Sequence, residues 1–124
     1  MNVGIIDYGA GNVKSVYNAV YRLGYDPEII QSYKDIGKQD KLIIPGVGSA
    51  NSCIESLKKK NMLDLIRVFY DLEKPILGIC LGLQLFCQKL YENGISNGLN
   101  IINADVIPFE GDIKINIGWS DVEL

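Results

Sequence analysis

Four short apolar runs alternate along this chain with stretches of helical spacing, and this alternation constrains the fold more than any other feature. The runs cover 3–7, 28–30, 41–44 and 75–79. Between them, apolar side chains recur every three or four residues over 13–23 and 49–72, and we expect the second stretch to break near Asn61. Strands that alternate with helices predict an α/β fold: a doubly wound, mostly parallel sheet with helices on both faces.

The pattern changes toward the end of the chain. We expect the helix after Cys80 to reach about Tyr91, whereas 99–109 reads as strand and 112–117 alternates apolar with polar residues. This predicts a β-rich C-terminal segment. Because the chain stops within what reads as another strand, we expect residues 1–124 to form a single partial domain, incomplete at its C-terminus.

Composition excludes several classes of protein. The 12 basic and 15 acidic side chains give a net charge of −3, which argues against nucleic-acid binding. No apolar run is long enough to cross a membrane, and the N-terminus does not read as a secretory signal. The cysteines are three, an odd number that does not suggest a disulfide scaffold, so we expect a cytoplasmic protein. Histidine is absent, which excludes a histidine-containing zinc site and any imidazole base from this chain.

The strongest chemical signal is Gly78-Ile79-Cys80-Leu81-Gly82, a Gly-x-nucleophile-x-Gly pattern between an apolar run and an amphipathic one. It is typical of a nucleophile elbow, a strained turn whose neighbours two residues away must lack bulk. The following helix directs N–H groups and its positive dipole end at the sulfur, which favours the thiolate. We predict Cys80 as the nucleophile and the N–H of Leu81 as an oxyanion donor. The alternative is a small apolar side chain buried at a tight turn.

A second glycine-rich turn, Pro45-Gly46-Val47-Gly48, follows the run 41–44. The carboxyl ends of parallel strands meet at one edge of a sheet, so we expect this segment to lie beside the elbow. Its glycines let the backbone approach a ligand, and its N–H groups can complete an oxyanion hole. An ordinary strand-to-helix turn is the alternative.

Two further signals are weaker. Gly9-Ala10-Gly11 begins like a dinucleotide fingerprint, but Lys14 stands where the third glycine is required. We therefore expect no nicotinamide site, and we expect no cofactor or metal. The remaining cysteines, Cys53 and Cys87, lack glycine flanks; we expect both in the core, or the first on a helix surface.

The residues at 5–12, 45–48 and 78–84, together with Gly118-Trp119, resemble the class I, triad-type glutamine amidotransferases. Within that family they are most similar to the glutaminase subunits of imidazole glycerol phosphate synthase. The resemblance covers essentially the whole chain. It implies that Cys80 attacks the side-chain amide of L-glutamine, forms a glutamyl thioester and releases ammonia.

The resemblance also implies roles for the other candidates and a partner. Val47 and the N–H of Leu81 would stabilise the oxyanion. The residues implied to hold glutamine are Gly46, Gly48 and Gln84. The ammonia would pass through a tunnel to a synthase (cyclase) subunit with a (β/α)₈ barrel, as a heterodimer serving histidine biosynthesis.

The chain departs from the family in two ways. Members carry a catalytic His and Glu that this chain lacks, so we expect a truncated form or fragment that is inactive alone. In addition, Asn116-Ile117-Gly118-Trp119 looks like paralogues that supply ammonia for amidation of a surface-polysaccharide sugar. The elbow is also compatible with a cysteine hydrolase or deglycase-like enzyme, and the missing catalytic residues are compatible with a non-catalytic interaction module.

Overall fold

The computed structural model describes residues 1–9, 11–111, 118–121 and 123. Its strands are β1 (Asn2–Ile6), β2 (Asp26–Ile30), β3 (Lys41–Ile44), β4 (Ile76–Gly78), β5 (Lys89–Leu90), β6 (Ser96–Asn97) and β7 (Asp105–Val106). Its α-helices are α1 (Val13–Arg22), α2 (Ala50–Lys59), α3 (Met62–Asp71) and α4 (Leu81–Gln84), and a 3₁₀ helix spans Tyr33–Asp35. The first four strands coincide with the four predicted apolar runs, although β2 begins two residues earlier than expected.

The first four strands form one parallel sheet in the order β2-β1-β3-β4. Ile5 of β1 pairs with Ile29 of β2 and with Ile43 of β3, and Ile43 also pairs with Leu77 of β4. The predicted parallel sheet is confirmed. Because all four strands run the same way, the turns that follow β1, β3 and β4 meet at one edge.

Helices cover both faces of this sheet, as predicted. Side chains alternate across a strand, so that Ile5 packs with Val20 of α1 on one face and Ile6 enters the larger core on the other. The start of α1 is capped by Asn12, whose side-chain oxygen accepts a hydrogen bond from the N–H of Ser15 at 3.3 Å.

The predicted break in the second helical stretch lies at Asn61. This residue has a φ of 54°, a left-handed conformation that asparagine tolerates better than most residues. It separates α2 from α3, and both helices bury one face in the larger core, where Leu57 and Leu65 are fully buried. The helix pair therefore packs against the sheet face that carries Ile6 and Ile44.

The prediction that the helix after Cys80 reaches about Tyr91 is wrong, because α4 ends at Gln84. The carbonyl groups that a longer helix would use accept hydrogen bonds from a distant segment. Leu85 O accepts from the N–H of Leu99 at 2.7 Å, and the carbonyl of the next residue accepts from residues 101 and 102 at 2.8 Å. Long-range pairing replaces the helical bonds.

The same pairing corrects the expectation for Cys87. It lies beyond α4 in a turn and is half-buried, and it is therefore not a core residue of a helix. Its carbonyl accepts from the N–H of Asn100 at 3.1 Å. Gly98 passes so close to that carbonyl that a methyl group there would overlap it.

The C-terminal part forms a second, small sheet. β5 pairs antiparallel with β6 and parallel with β7, in the order β6-β5-β7. The predicted strand over 99–109 is reduced to β7, and the predicted strand over 112–117 lies outside the described residues. Within the described ranges, no helix has the length and apolar character needed to span a membrane.

Candidate active site

Cys80 lies in the turn between β4 and α4, in a backbone conformation that is unusual for a residue with a side chain. Its φ is 54° and its ψ is −115°, outside the regions that L-residues adopt without strain. Its side chain is exposed at the carboxyl edge of the sheet. The turn has the geometry of a nucleophile elbow, and the alternative of a buried apolar cysteine is wrong.

The two glycines of the elbow are required by close packing. A Cβ atom at Gly78 would lie 2.5 Å from the backbone of Leu83. A Cβ atom at Gly82 would overlap the carbonyl oxygen of Ile44 at the end of β3. The lack of bulk two residues on either side of Cys80 therefore lets α4 fold back against both strands.

The N–H of Leu81 is the first of α4, a position with no acceptor inside the helix. Next along the chain, the N–H of Gly82 donates to Ile79 O at 2.9 Å. Because α4 has only four residues, its summed dipole is small. The N–H of Leu81, and not the dipole of a long helix, is therefore the positive group that the turn places next to Cys80.

The segment 45–48 lies directly against the elbow, as predicted. A Cβ atom at the buried Gly46 would lie 2.7 Å from the Cβ of Leu81. Gly48 has a φ of 92°, which favours glycine. Ile79 N–H donates to Ile44 O at 3.0 Å, so that the strands leading into both turns are also bonded.

A pocket of about 370 Å³ opens at this junction. It brings together four of the predicted site residues that follow β3 and β4: Val47, Gly48, Cys80 and Leu81. Gln84, one helical turn after Cys80, also lines it and is half-buried. Gly46 does not line the pocket; it lies beneath, in the contact with Leu81. The assignment of Gly46 to glutamine binding stays a prediction, as do the other roles.

The opposite wall of the pocket is not predicted by the sequence. It is formed by Tyr91, Glu92, Val106, Ile107 and Pro108, which come from the small sheet and its connections. The Glu92 carboxylate accepts a hydrogen bond from the N–H of Ala50, at the start of α2, at 3.0 Å. These two residues are 42 positions apart, so no local spacing could have placed an acidic side chain here.

Tyr8 supports the 45–48 segment from inside the protein. Its side chain is buried and its hydroxyl donates a hydrogen bond to Pro45 O at 3.0 Å. Burial raises the pKa of Tyr8 well above its ordinary value, and the neighbouring Cys53 thiol acts in the same direction. The phenol therefore stays protonated and remains a donor.

The glycine-rich turn after β1 has a packing role at this edge. A Cβ atom at Gly11 would lie 3.6 Å from the Cβ of Pro45, so the turn rests against the start of the 45–48 segment. Its φ of 110° is one that glycine adopts without cost. The turn thus helps to place the segment that lines the pocket.

The other thiols lie apart from this chemistry. Cys53 is buried on α2, where burial raises the pKa of its thiol. Cys87 is half-buried outside the pocket lining. Among the residues that the structure describes, no group of three His, Cys, Asp or Glu side chains is arranged to hold a metal ion.

Comparison with known proteins places this architecture in a family. Residues 4–115 match the family model described as glutamine amidotransferase class-I. The chain is 40% identical over 126 residues to the imidazole glycerol phosphate synthase subunit HisH 1 of Campylobacter jejuni strain 81-176, covering 98% of this chain and 63% of that protein. It is 40% identical over 125 residues to subunit HisH of Aquifex aeolicus, covering 98% of this chain and 60% of that protein. The chain thus spans less than two thirds of these relatives.

A solved structure has the same fold. The structure titled "Crystal structure of glutamine amidotransferase" superposes with a TM-score of 0.69, covering 83% of this chain and 54% of that one. The sequence identity in this comparison is 19%. It therefore supports the α/β architecture and says nothing about the substrate.

Proposed function

Because the chain belongs to the class-I glutamine amidotransferase family, we propose that it acts as the glutaminase subunit of an imidazole glycerol phosphate synthase. In this role it hydrolyses L-glutamine and passes ammonia to a synthase subunit in histidine biosynthesis. The partner is a (β/α)₈ barrel, the assembly is a heterodimer, and both work in the cytoplasm. The names of the relatives support this proposal.

One observation carries the chemistry: an exposed thiol on a strained turn faces a pocket bordered by a glycine-rich segment. The φ of 54° at Cys80 holds its side chain away from the core. A residue kept in such a conformation is typical of functional sites, because the surrounding packing must compensate for the strain. Here the packing comes from Gly78 and Gly82.

The reaction follows from these groups. Cys80 Sγ, as thiolate, attacks the side-chain carbonyl carbon of glutamine and forms a tetrahedral oxyanion. The N–H groups of Leu81 and Val47 stabilise that charge. The amide nitrogen then takes up a proton, the C–N bond breaks and ammonia leaves. A glutamyl thioester remains on Cys80 until water hydrolyses it.

The pocket supplies groups for both ends of the substrate. Gln84 and Gly48 line it beside Cys80, where the carboxamide would react. On the opposite wall, Glu92 uses one carboxylate oxygen on the N–H of Ala50, and its negative charge suits the α-ammonium of an amino acid. We propose that this pairing orients glutamine across the pocket.

Proton transfer needs a group that this chain does not contain. The sequence has no histidine, although the leaving ammonia must be protonated and water must be activated. We propose that the base comes from the part of the relatives' length that this chain does not span, or from another chain. The 124 residues alone then hold the nucleophile and the pocket but not a complete catalytic set.

An activated ester tests the nucleophile and the pocket separately from the missing base. A γ-glutamyl 4-nitrophenyl ester has a leaving group that needs no protonation, so the chain alone should be acylated once, at Cys80, with saturable kinetics. Glutamine itself should give no detectable turnover, because removing a catalytic base costs roughly 10⁶-fold. Nitrophenolate release and peptide mass spectrometry measure both, with Cys80→Ser as the control. Absence of acylation at Cys80, or equal acylation at Cys87, would overturn the proposal.

A further inference from the structure

The hairpin formed by β5 and β6 carries both Asn-Gly pairs of the chain, Asn93-Gly94 and Asn97-Gly98. The first pair lies in the loop that joins the two strands, and the second begins at the last residue of β6. In such a pair the glycine nitrogen can attack the side-chain amide of the asparagine, because glycine has no Cβ atom to hinder the approach. The local chemistry of the two pairs is the same, and only their surroundings differ.

The pair Asn93-Gly94 is open to solvent. Its φ angles of 52° and 113° are those that an Asn-Gly pair favours in a hairpin turn. Both residues are exposed, and a Cβ atom at Gly94 would have no heavy atom within 4 Å. In the part of the chain that the structure describes, no hydrogen bond uses the Gly94 N–H. Its nitrogen is therefore free to lose its proton and to approach the Asn93 amide.

The pair Asn97-Gly98 is held by the turn after α4. The Gly98 N–H donates to Gln88 O at 2.9 Å. A Cβ atom at Gly98 would overlap the carbonyl oxygen of Cys87, so the backbone is also confined on that side. Attack by the Gly98 nitrogen on the Asn97 amide requires this hydrogen bond to break and the backbone to leave its contact. Such local opening has a free-energy cost that slows the reaction.

We propose that Asn93 is a site of spontaneous deamidation, from which the folded hairpin protects Asn97. The Gly94 nitrogen gives its proton to hydroxide and forms a bond to Cγ of Asn93. The Cγ–Nδ2 bond then breaks, and ammonia leaves after its nitrogen takes up a proton from water. Water opens the resulting succinimide at one of its two carbonyl carbons. The products are aspartate and isoaspartate, and in isoaspartate the main chain runs through Cγ and gains a methylene group.

The modified residue directly follows Glu92, on the pocket wall that faces Cys80. The Glu92 carboxylate accepts the N–H of Ala50 at 3.0 Å. Because the pairing of β5 with β6 fixes both ends of the loop, a lengthened main chain must displace Glu92 relative to α2. The effect on binding rests on the proposed function, in which Glu92 holds the α-ammonium of glutamine: isoaspartate at position 93 weakens that binding. The modification site itself does not depend on that function.

Incubation of the purified chain in mildly alkaline buffer tests the site. Peptide mass spectrometry should show conversion of amide to acid at Asn93 about tenfold faster than at Asn97, the effect of one net hydrogen bond on access to the Gly98 nitrogen. In urea the two rates should converge, because unfolding frees both glycines. An isoaspartate methyltransferase assay detects the product with the longer main chain. Equal rates in the folded chain, or faster conversion at Asn97, would overturn the proposal.

Acylation by γ-glutamyl 4-nitrophenyl ester tests the effect on the pocket. Asn93→Gln carries a longer side chain that forms a cyclic imide far more slowly, and Asn97→Gln is the matched control. After incubation, the half-saturating ester concentration should rise about three- to tenfold in the wild type and in Asn97→Gln, as partial loss of one charged hydrogen bond implies. It should not change in Asn93→Gln.

The outcomes separate the two proposals. Deamidation at Asn93 with an unchanged half-saturating concentration would overturn the coupling to the pocket. A fresh wild-type chain that is not acylated at Cys80 would overturn the proposed function instead. Mass spectrometry then still decides whether Asn93 is the modification site.

Discussion

A methyl group on Gly82 would overlap the carbonyl oxygen of Ile44, so the helix after Cys80 meets the end of β3 at a distance that only glycine permits. The carbonyl carbon of Ile44 would lie 2.8 Å from the same methyl group. That carbonyl already accepts the N–H of Ile79 at 3.0 Å and cannot move freely. The contact therefore fixes where Cys80 stands relative to the 45–48 segment.

Gly82→Ala should destabilise the protein by about 3 kcal/mol, because backbone atoms on both sides must shift to admit the methyl group. Urea denaturation monitored by circular dichroism measures the loss. Gly37→Ala is the matched control, since a Cβ atom there would lie an ordinary 3.7 Å from the nearest side-chain atom, in Gln39. Equal midpoints for the two variants would show that the contact is not tight.

Two of the three thiols, Cys80 and Cys53, should react in a fixed order. Iodoacetamide should modify the exposed Cys80 first and Cys53 roughly tenfold or more slowly, because Cys53 is buried and burial raises its pKa. Timed quenching followed by peptide mass spectrometry gives the two rates. Reaction of Cys53 at the rate of Cys80 in the folded protein would contradict the described burial; in urea the two rates should converge.

Glu92→Gln should weaken binding of the γ-glutamyl group without changing the thiol. The amide keeps an oxygen for the N–H of Ala50 but loses the negative charge that we propose pairs with the α-ammonium. The half-saturating ester concentration for acylation should rise about 10- to 30-fold, the value of one charged hydrogen bond, with an unchanged maximal rate. Glu55→Gln, exposed on α2, should leave both quantities unchanged. A fall in the maximal rate alone would place Glu92 elsewhere in the reaction.

Acid should destabilise the protein partly through Asp7. The Gln31 side-chain amide, which donates to its carboxylate at 2.9 Å, lowers the pKa of Asp7 below its ordinary value of 3.8 in spite of partial burial. A lowered folded pKa means that the stabilisation is fully present above the ordinary value and is lost as pH falls through the folded one. Asp7→Asn should therefore flatten the acid limb of a melting-temperature profile below about pH 4. The same flattening in Asp26→Asn would rule Asp7 out as its cause.

Local sequence was sufficient for the large sheet and the elbow. Each of the first four strands is a short apolar run next to a turn. The helix break lies at Asn61, a residue type that tolerates the left-handed conformation found there. The glycines around Cys80 indicated a tight turn because no other residue fits there. These features depend on residues close together in the chain.

Features that depend on distant pairing were not predictable in the same way. The residues 85–91 carry a helical apolar spacing, yet the carbonyls of 85–87 accept hydrogen bonds from the N–H groups of 99–102. Tertiary structure, and not local spacing, decides this pairing. Glu92 lines the pocket for the same reason, because the pairing of the small sheet places it there. In the sequence Tyr8 is one residue of a glycine-rich turn. Its hydrogen bond to Pro45 follows only once the order of the strands is known, because that order brings the two turns together.

The pocket has two walls of different origin, and this has a consequence for altering its specificity. The wall with Cys80 is held from behind by Gly46, Gly78 and Gly82, whose close contacts leave no room for a methyl group. The facing wall presents exposed side chains at Ile107 and Pro108. Directed evolution toward longer or bulkier carboxamides should therefore diversify the second wall, where new shapes can be accommodated while the sulfur keeps its place.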